Sequence, residues 1–171
     1  FRQPIRDMTV YHGSVVEIRT PDLGRSKRFL DFGPAFYVTS FREQAERWAR
    51  RKHARTLSPI APVVNVYEFN DDLAAFSVLR FDGVDEAWLD FVCDCRDGKD
   101  VYSSYDAIIG RVADDNVFRT IQSYRQGDIT KARAMELLRF AHPNDQLALR
   151  TERIIDGRLR FVQSYHVESG V

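Results

Sequence analysis

Apolar residues recur along this 171-residue chain with two different periods. A spacing of three and four positions is typical of a helix with one buried face, and strict alternation is typical of a half-buried strand. The first pattern predicts helices over 41–55 and 84–96, one capped by Asp115 or Asn116 and closed by Gly127, and one over 128–140. Alternating or short apolar runs predict strands over 9–12, 36–39, 63–69, 105–112, 146–151 and 159–165.

The helix over 41–55 and the strand over 63–69 illustrate how the patterns assign faces. The residues that the helix buries at helical spacing are Ala45, Trp48 and Ala49, and the predicted capping residue is Thr39 or Ser40. One face of the strand carries Val64 and Val66, and the other carries Val63, Asn65, Tyr67 and Phe69. Alternation therefore divides the strand between two environments.

The order of the predicted elements indicates the fold class. Strand, strand, helix, strand, helix, strand, two helices and two strands do not alternate as in a doubly wound fold, so an α+β fold with mostly antiparallel pairing is favoured. No repeat, low-complexity tract or linker divides the chain, whose 171 residues suit one compact domain. We therefore expect a single domain over 9–165, an N-terminal extension over 1–8 with Met8 as a candidate start, and a C-terminal tail over 166–171.

Charge and hydropathy narrow the range of partners. Lys plus Arg and Asp plus Glu number 25 each, so a formal net charge of zero gives no global attraction to nucleic acid or to anionic membranes. The stretch 47–55 is nevertheless rich enough in Arg and Lys to form a local basic patch. No apolar run approaches the ~20 residues that span a bilayer, and residues 1–7 lack the apolar stretch of a signal peptide. We expect a soluble, cytoplasmic protein without a membrane partner, or an effector delivered into another cell.

The two cysteines are predicted to stay unpaired. Cys93 and Cys95 lie two positions apart in the predicted helix over 84–96 and therefore on different faces. Unpaired thiols fit a reducing compartment. Because the chain has no further cysteines, a zinc ribbon is excluded.

Three blocks of residues combine groups that suit a ligand site. Residues 11–14 read Tyr-His-Gly-Ser and close a predicted strand, and residues 33–39 read Gly-Pro-Ala-Phe-Tyr-Val-Thr, a tight turn that leads into an aromatic strand. Residues 144–146 read Asn-Asp-Gln and open a late strand. Taken singly, each block is more often an ordinary strand end, core strand or turn. Their order along the chain carries the functional interpretation.

That order resembles the ADP-ribosyltransferase superfamily, which carries a His, a Tyr and a Glu-type residue on successive core strands. It is similar to a bacterial domain-of-unknown-function family, number 3990, whose members read Tyr-His-Gly-Ser, then Asp-Phe-Gly-x-Gly-Phe-Tyr-x-Thr, then Ala-Asp-Asp and a late Gln. The resemblance covers about 9–151. It implies a split antiparallel β-sandwich with flanking helices. It also implies an NAD⁺-dependent mono-ADP-ribosyltransferase, a bacterial toxin or effector that transfers ADP-ribose to a macromolecule and releases nicotinamide.

The resemblance also implies roles for individual residues. His12, Tyr37 and Gln146 would form the catalytic set. In that pattern His12 donates a hydrogen bond to the adenosine ribose, the Gly13 backbone binds the carboxamide, and Tyr37 stacks on the cationic nicotinamide ring. The further NAD⁺-binding residues would be Ser14, Thr39, Arg25 with Arg19 near the pyrophosphate, and Asp114 at the edge of the cleft. NAD⁺ is a substrate here, and the chemistry needs no metal.

The chain departs from the superfamily pattern at two positions. Ala35 replaces the second glycine of the turn, so the backbone there must accommodate a Cβ. Gln146 stands where a Glu is usual; its amide can bond a ribose hydroxyl but carries no negative charge to stabilise an oxocarbenium-like transition state. Glu152 is predicted on the same face of the same strand, but about 20 Å further along, so it is a poor substitute.

Three functions remain open at this stage. A transferase would modify a protein or nucleic acid, and the basic stretch 42–55 would suit the latter. The uncharged Gln146 suggests instead a binding module that holds NAD⁺ or ADP-ribose without turnover. An NAD⁺ glycohydrolase would use water as the acceptor. An antitoxin-like inhibitor is implied as a partner only by the resemblance to toxin-like families.

Overall fold

A computed structural model describes residues 7–27, 30–113, 115–139 and 144–168. In these ranges the strands are β1 (Asp7–Ser14), β2 (Phe36–Val38), β3 (Val63–Asn70), β4 (Val78–Arg80), β5 (Ala107–Gly110), β6 (Gln146–Leu149) and β7 (Leu159–His166). The helices are α1 (Arg42–Ala54), α2 (Glu86–Arg96), α3 (Asp115–Arg125), α4 (Lys131–Leu138) and α5 (Glu152–Arg158), with a 3₁₀ turn at Leu23–Arg25.

The strands form two sheets. A three-stranded antiparallel sheet has the order β1-β3-β7, and a four-stranded sheet has the order β2-β6-β5-β4, in which only the β4–β5 pair is parallel. An isolated antiparallel bridge between Tyr11 and Thr39 joins the two sheets. The predicted α+β class, two sheets with flanking helices, is confirmed.

The buried side chains form three clusters that follow the faces of the sheets. Residues of both sheets meet in the first cluster, which contains Val10, Phe36, Val38, Tyr67, Phe69, Leu147 and Leu149. The second lies on the other face of the four-stranded sheet under the helices, and contains Phe32, Trp88, Leu89, Val92, Ile108, Ile121 and Ala148. The third joins α1 to the outer face of β3 through Ala45, Ala49, Val64 and Val66. The predicted division of the β3 side chains between two environments is therefore confirmed.

The ends of the predicted helices differ from those in the structure. The cap position of α1 is Phe41, which makes no side-chain capping bond, so the prediction of Thr39 or Ser40 as cap is wrong. Thr39 Oγ1 instead donates to Asp145 Oδ1 at 2.8 Å, and the same oxygen accepts from the Ser40 amide at 2.8 Å.

Two further helix starts are corrected. Asp115 is the first residue of α3, so neither it nor Asn116 stands outside the helix as its cap. The prediction that α4 starts at residue 128 is wrong, since the helix begins at Lys131. Thr130 caps it, because its hydroxyl accepts from the Arg133 amide at 3.2 Å.

β4 and α5 were not predicted. α5 has only seven residues and is capped by Thr151, whose hydroxyl accepts from the Ile154 amide. It replaces the end of the strand predicted over 146–151. Glu152 therefore lies on a helix, and the prediction that it shares a strand face with Gln146 is wrong.

Among the described residues, no helix is long and apolar enough to cross a membrane. Cys93 and Cys95 are both buried and carry free thiols.

Gly13 allows α1 to pack directly on β1. A Cβ built on Gly13 would lie 2.1 Å from the Ala45 carbonyl oxygen and 2.6 Å from the Ala49 amide nitrogen. Both atoms belong to the helix backbone, which cannot rotate away as a side chain can. A side chain at this position would push α1 off the sheet.

We expect Gly13→Ala to lower the free energy of unfolding by about 1–3 kcal/mol, as overpacking of a tight contact does. Gly83→Ala is the matched control, because no atom lies within 4 Å of its added Cβ. Urea unfolding of both variants measures the difference. Equal stability of the two would contradict the close packing of α1 on Gly13.

Candidate functional site

The two sheets separate next to the Tyr11–Thr39 bridge. The Tyr11 amide donates to Thr39 O at 2.8 Å, and the Thr39 amide donates to Tyr11 O at 2.9 Å. Beyond this bridge β1 continues its pairing with β3, whereas β2 pairs with β6. A split therefore opens between the end of β1 and the body of β2.

The His12 side chain fills this split. Its Nδ1 donates to the Tyr37 carbonyl at 2.6 Å, and its ring stacks on Phe36 with a centroid distance of 4.3 Å. Burial, followed by the nearby Lys52 ammonium, lowers the pKa of His12 to about 3. The ring is therefore neutral, with its proton on Nδ1 and a lone pair on Nε2.

The backbone of Gly13 faces the same split. Backbone groups of an antiparallel strand point alternately to its two neighbours, so Gly13 points its groups to the side on which Tyr11 bridges β2. Lys52 Nζ donates to Gly13 O at 2.8 Å and lies 3.4 Å from His12 Nε2. Desolvation, then repulsion from Lys27, lowers the pKa of Lys52. Sequence reasoning placed Lys52 in the basic patch and missed this contact, which no spacing rule indicates.

Ser14 makes a local contact at the end of β1. The side chain is buried, and its Oγ accepts from the Val16 amide at 3.5 Å. It therefore lies beside Gly13 without bonding another predicted site residue.

Tyr37 projects to the face of the four-stranded sheet opposite Phe36. Its hydroxyl donates to Gly33 O at 2.5 Å and accepts from the Phe32 amide at 3.0 Å. Burial, followed by the charge of Asp31, raises the pKa of Tyr37 well above its usual range. The protonated hydroxyl therefore fixes the turn before β2, in which Gly33 has a φ of +76°.

Gln146 is buried at the start of β6, on the same face as Tyr37. Its Nε2 donates to Asp31 Oδ2 and to Arg111 O, both at 3.2 Å. No hydrogen bond from the described residues reaches Gln146 Oε1. The amide is thus held by its nitrogen, and its oxygen keeps its capacity to accept a hydrogen bond.

Asp31 organises this corner of the site. The buried carboxylate forms an ion pair with Arg96 of α2 and accepts from the Ala113 amide at 3.3 Å in addition to Gln146. Sequence reasoning gave Asp31 no role. Its partners are 65 and 115 positions away along the chain, beyond the reach of a local pattern.

Asp145 connects the start of β6 to the start of α1. Its carboxylate binds Thr39 and Ser40, and its carbonyl accepts from Gln44 Nε2 at 2.7 Å. Thr39 is fully buried, so its hydroxyl supports the fold at the bridge.

The remaining predicted residues lie apart from this arrangement. Arg25 is in the 3₁₀ turn, with its side chain 86% exposed, and its ion-pair partner is Asp22 at 3.4 Å. Arg19 pairs with Glu17. No bond joins either arginine to another predicted site residue. Asp114 lies outside the described residues.

The predicted catalytic residues are neighbours but do not face one common space. His12 bonds the Tyr37 backbone, and the Tyr37 hydroxyl holds the turn whose Asp31 binds Gln146. His12 lies on the inter-sheet side with Phe36, however, whereas Tyr37 and Gln146 lie on the outer face of the four-stranded sheet.

A comparison with protein families assigns the chain to one family. The model of a family described as "Protein of unknown function (DUF3990)" matches residues 8–161. A search of the curated proteins finds no match.

The lowered pKa of His12 predicts how the stability of the protein depends on pH. The folded-state pKa of about 3 lies below the ordinary value of 6.5, so between these values the unfolded state binds the extra proton. The free energy of unfolding should fall as the pH falls from about 6.5 toward 3, and this contribution should be complete above pH 6.5. In an NMR titration the His12 ring should keep its neutral chemical shifts down to about pH 4.

His12→Asn separates this effect from the titration of carboxylates. The Asn amide can donate to Tyr37 O but does not titrate, so the pH dependence of unfolding should be shallower in the variant than in the wild type. A His12 ring that titrates near pH 6.5 would show that the imidazole is not buried against β2.

Proposed function

We propose that this chain, which belongs to the DUF3990 family, is an NAD⁺-dependent mono-ADP-ribosyltransferase. The reaction breaks the bond between the nicotinamide nitrogen and the ribose anomeric carbon. Nicotinamide leaves with the bonding electrons, and a nucleophile of the acceptor forms the new bond to that carbon and loses its proton. The acceptor is a macromolecule, and a bacterial toxin or effector role with an inhibitor partner remains part of the proposal.

The observation that supports this proposal most is the split beside the Tyr11–Thr39 bridge. Beside it lie a neutral His12 and a backbone edge at Gly13. Gln146 lies on the outer face of the adjoining sheet, and its side-chain oxygen accepts no hydrogen bond from the described residues. These groups suit hydroxyls and a carboxamide, which are the polar groups of the nicotinamide riboside part of NAD⁺.

The hydrogen bond proposed between His12 and the ribose has His12 as its acceptor rather than its donor. The sequence resemblance implies that His12 donates to a ribose hydroxyl, but its Nδ1 proton is already donated to Tyr37 O. The other nitrogen carries a lone pair, so His12 would accept from the hydroxyl. Because Lys52 Nζ lies 3.4 Å from that nitrogen, a bound ribose would compete with this lysine.

Gln146 and Tyr37 would act through the parts of their side chains that remain available. The Gln146 oxygen would accept from a ribose hydroxyl and orient the anomeric carbon. The Tyr37 hydroxyl is occupied by the turn, which leaves only the exposed part of its ring for contact with nicotinamide. Gly13 O would have to accept from the carboxamide beside Lys52 or in its place.

One observation favours the second candidate, a module that binds NAD⁺ or ADP-ribose without turnover. Gln146 carries no charge, and the neighbouring Asp31 carboxylate is already neutralised by Arg96. This arrangement leaves the Gln146 corner without an unpaired negative charge for a cationic transition state.

Incubation with NAD⁺ labelled in the adenosine part distinguishes the two candidates. A transferase should move the label to a macromolecule in a lysate and release nicotinamide. Gln146→Ala should reduce the rate by about 10²–10³-fold, as removal of a transition-state hydrogen bond does, with a smaller effect on NAD⁺ binding. Arg133→Ala on α4 is the matched control, because it removes an exposed arginine whose ion-pair partner is Glu136 and which belongs to none of the predicted site blocks. Binding by calorimetry without release of nicotinamide would favour the binding module, and no binding at all would refute both candidates.

Asp31 gives a physical reason for Gln at position 146. Gln146→Glu would place a second carboxylate at hydrogen-bonding distance from Asp31, and the uncompensated buried charge should cost on the order of 3 kcal/mol of unfolding free energy. The double variant Asp31→Asn with Gln146→Glu restores the local charge and should recover most of that loss. Thermal and urea unfolding measure both effects. A double variant no more stable than the single one would contradict the coupling of these two residues.

A further inference from the structure

The ammonium group of Lys52 covers both hydrogen-bond acceptors of the split. Its Nζ donates to Gly13 O at 2.8 Å and lies 3.4 Å from His12 Nε2. Because the His12 proton is on Nδ1, where it is donated to Tyr37 O, Nε2 is an acceptor that faces this ammonium. The proposed function assigns a ribose hydroxyl and a carboxamide to these same two atoms. Lys52 therefore occupies the positions that the donors of the ligand would take.

The Lys52 charge is not balanced by an ion pair of the described residues. No carboxylate among them lies within ion-pairing distance of its ammonium, whereas Lys99, for example, pairs with Asp94 at 2.7 Å. Desolvation of the ammonium, followed by repulsion from Lys27, lowers the pKa of Lys52 to about 8. The charge that acts on Lys52 is thus that of another cation.

Lys27 approaches the split from the segment that precedes β2. The hydroxyl of its neighbour Ser26 donates to Ala35 O at 2.9 Å and accepts from the Ala35 amide at 2.7 Å. Ala35 directly precedes β2, so this pair of bonds fixes the segment that carries the exposed Lys27 side chain. Two cations, one from this segment and one from α1, therefore lie close enough at the split to repel each other.

The two arginines that the sequence resemblance assigns to a pyrophosphate are engaged elsewhere. Arg19 pairs with Glu17 at 2.6 Å, and Arg25 pairs with Asp22 at 3.4 Å. Neither bonds a residue of the split. An anionic group of a ligand in the split would therefore meet the two lysines rather than these arginines.

Lys52 can move without a change in the helix that carries it. The residue is exposed and lies in the last turn of α1. A lysine carries its charge on a flexible stem of four carbons, so its ammonium can leave the two acceptors while the backbone stays in place.

We propose that Lys52 makes the split specific for a ligand that carries a diphosphate. Without such a ligand, its ammonium stays on His12 Nε2 and Gly13 O. A diphosphate draws the ammonium off these atoms and binds it, together with Lys27, through charge-assisted hydrogen bonds. Both acceptors then become accessible to the ribose and the carboxamide. A ligand without phosphate must displace the ammonium and offers it no anion in exchange. This inference rests on the proposed function, since it names the group by which NAD⁺ would open that site.

The first experiment is an NMR titration of the full chain with inorganic pyrophosphate, without NAD⁺. We expect the Gly13 amide and the His12 ring nitrogens to shift as the pyrophosphate binds. Lys52→Met, which keeps the stem and removes the charge, should weaken binding about tenfold or more, as the loss of a charge-assisted hydrogen bond does. Lys131→Met on α4 is the matched control, because it removes an ammonium that pairs with Asp90.

The second experiment compares NAD⁺ with nicotinamide riboside, which lacks the diphosphate, by calorimetry. Lys52→Met should weaken the binding of NAD⁺ about tenfold and strengthen that of nicotinamide riboside about threefold, because the riboside no longer has to displace the ammonium. A lysine that only supports the fold would weaken both. Lys52→Gln provides a second uncharged variant, and urea unfolding verifies that each variant is folded.

Three results would overturn the proposal. They are no pyrophosphate-dependent shifts at Gly13 and His12, equal pyrophosphate affinity of Lys52→Met and Lys131→Met, and equal weakening of NAD⁺ and nicotinamide riboside by Lys52→Met. Lys52-dependent binding of pyrophosphate without turnover of NAD⁺ would refute the transferase and leave this inference standing. Transferase activity with an unchanged KM for NAD⁺ in Lys52→Met would refute this inference and leave the transferase standing.

Discussion

A buried carboxylate must be paired and hydrogen-bonded, and Asp31 meets this requirement with groups from three other segments of the chain. Arg96 comes from α2, the Ala113 amide follows β5, and the Gln146 amide opens β6. Removing any of them would leave part of a charge unsatisfied in a poorly solvated place. This single group therefore fixes the turn before β2 relative to the strand that carries the candidate catalytic amide. It also explains why a neutral residue occupies position 146.

A second constraint acts on the other side of β2. The His12 ring occupies the space between two sheets that the Tyr11–Thr39 bridge joins, and burial there favours its neutral form. α1 closes over this region because Gly13 has no side chain to hold it off. The helix in turn brings Lys52 to the Gly13 carbonyl. The position of Lys52 at the split is thus a consequence of the close packing of α1 on Gly13.

Sequence patterns predicted what depends on local periodicity. The faces of β3 follow from alternation, and α1 and α2 follow from apolar residues at helical spacing. α5 was not predicted, because a helix of seven residues that includes Gly157 is too short to show a helical period in its apolar residues. The prediction of Thr39 as the cap failed because α1 begins two residues later, after Phe41, and the Thr39 hydroxyl donates to Asp145, 106 positions away. A separation of 115 positions likewise kept the pairing of Asp31 with Gln146 from being predicted. The order of the motifs indicated which residues are neighbours, but not which face of the sheet each one occupies.

A formal net charge of zero does not say where the charges of this chain lie relative to one another. Its carboxylates are placed beside particular arginines: Glu46 beside Arg42 and Arg50, and Asp31 beside Arg96. On another face of α1, Arg47 has no carboxylate partner among the residues that the structure describes. Composition averages over these environments and so gives no information about them. A local field depends on which charges are within about a Debye length and poorly hydrated, and that is decided by the packing of α1 against the ends of β5 and β6.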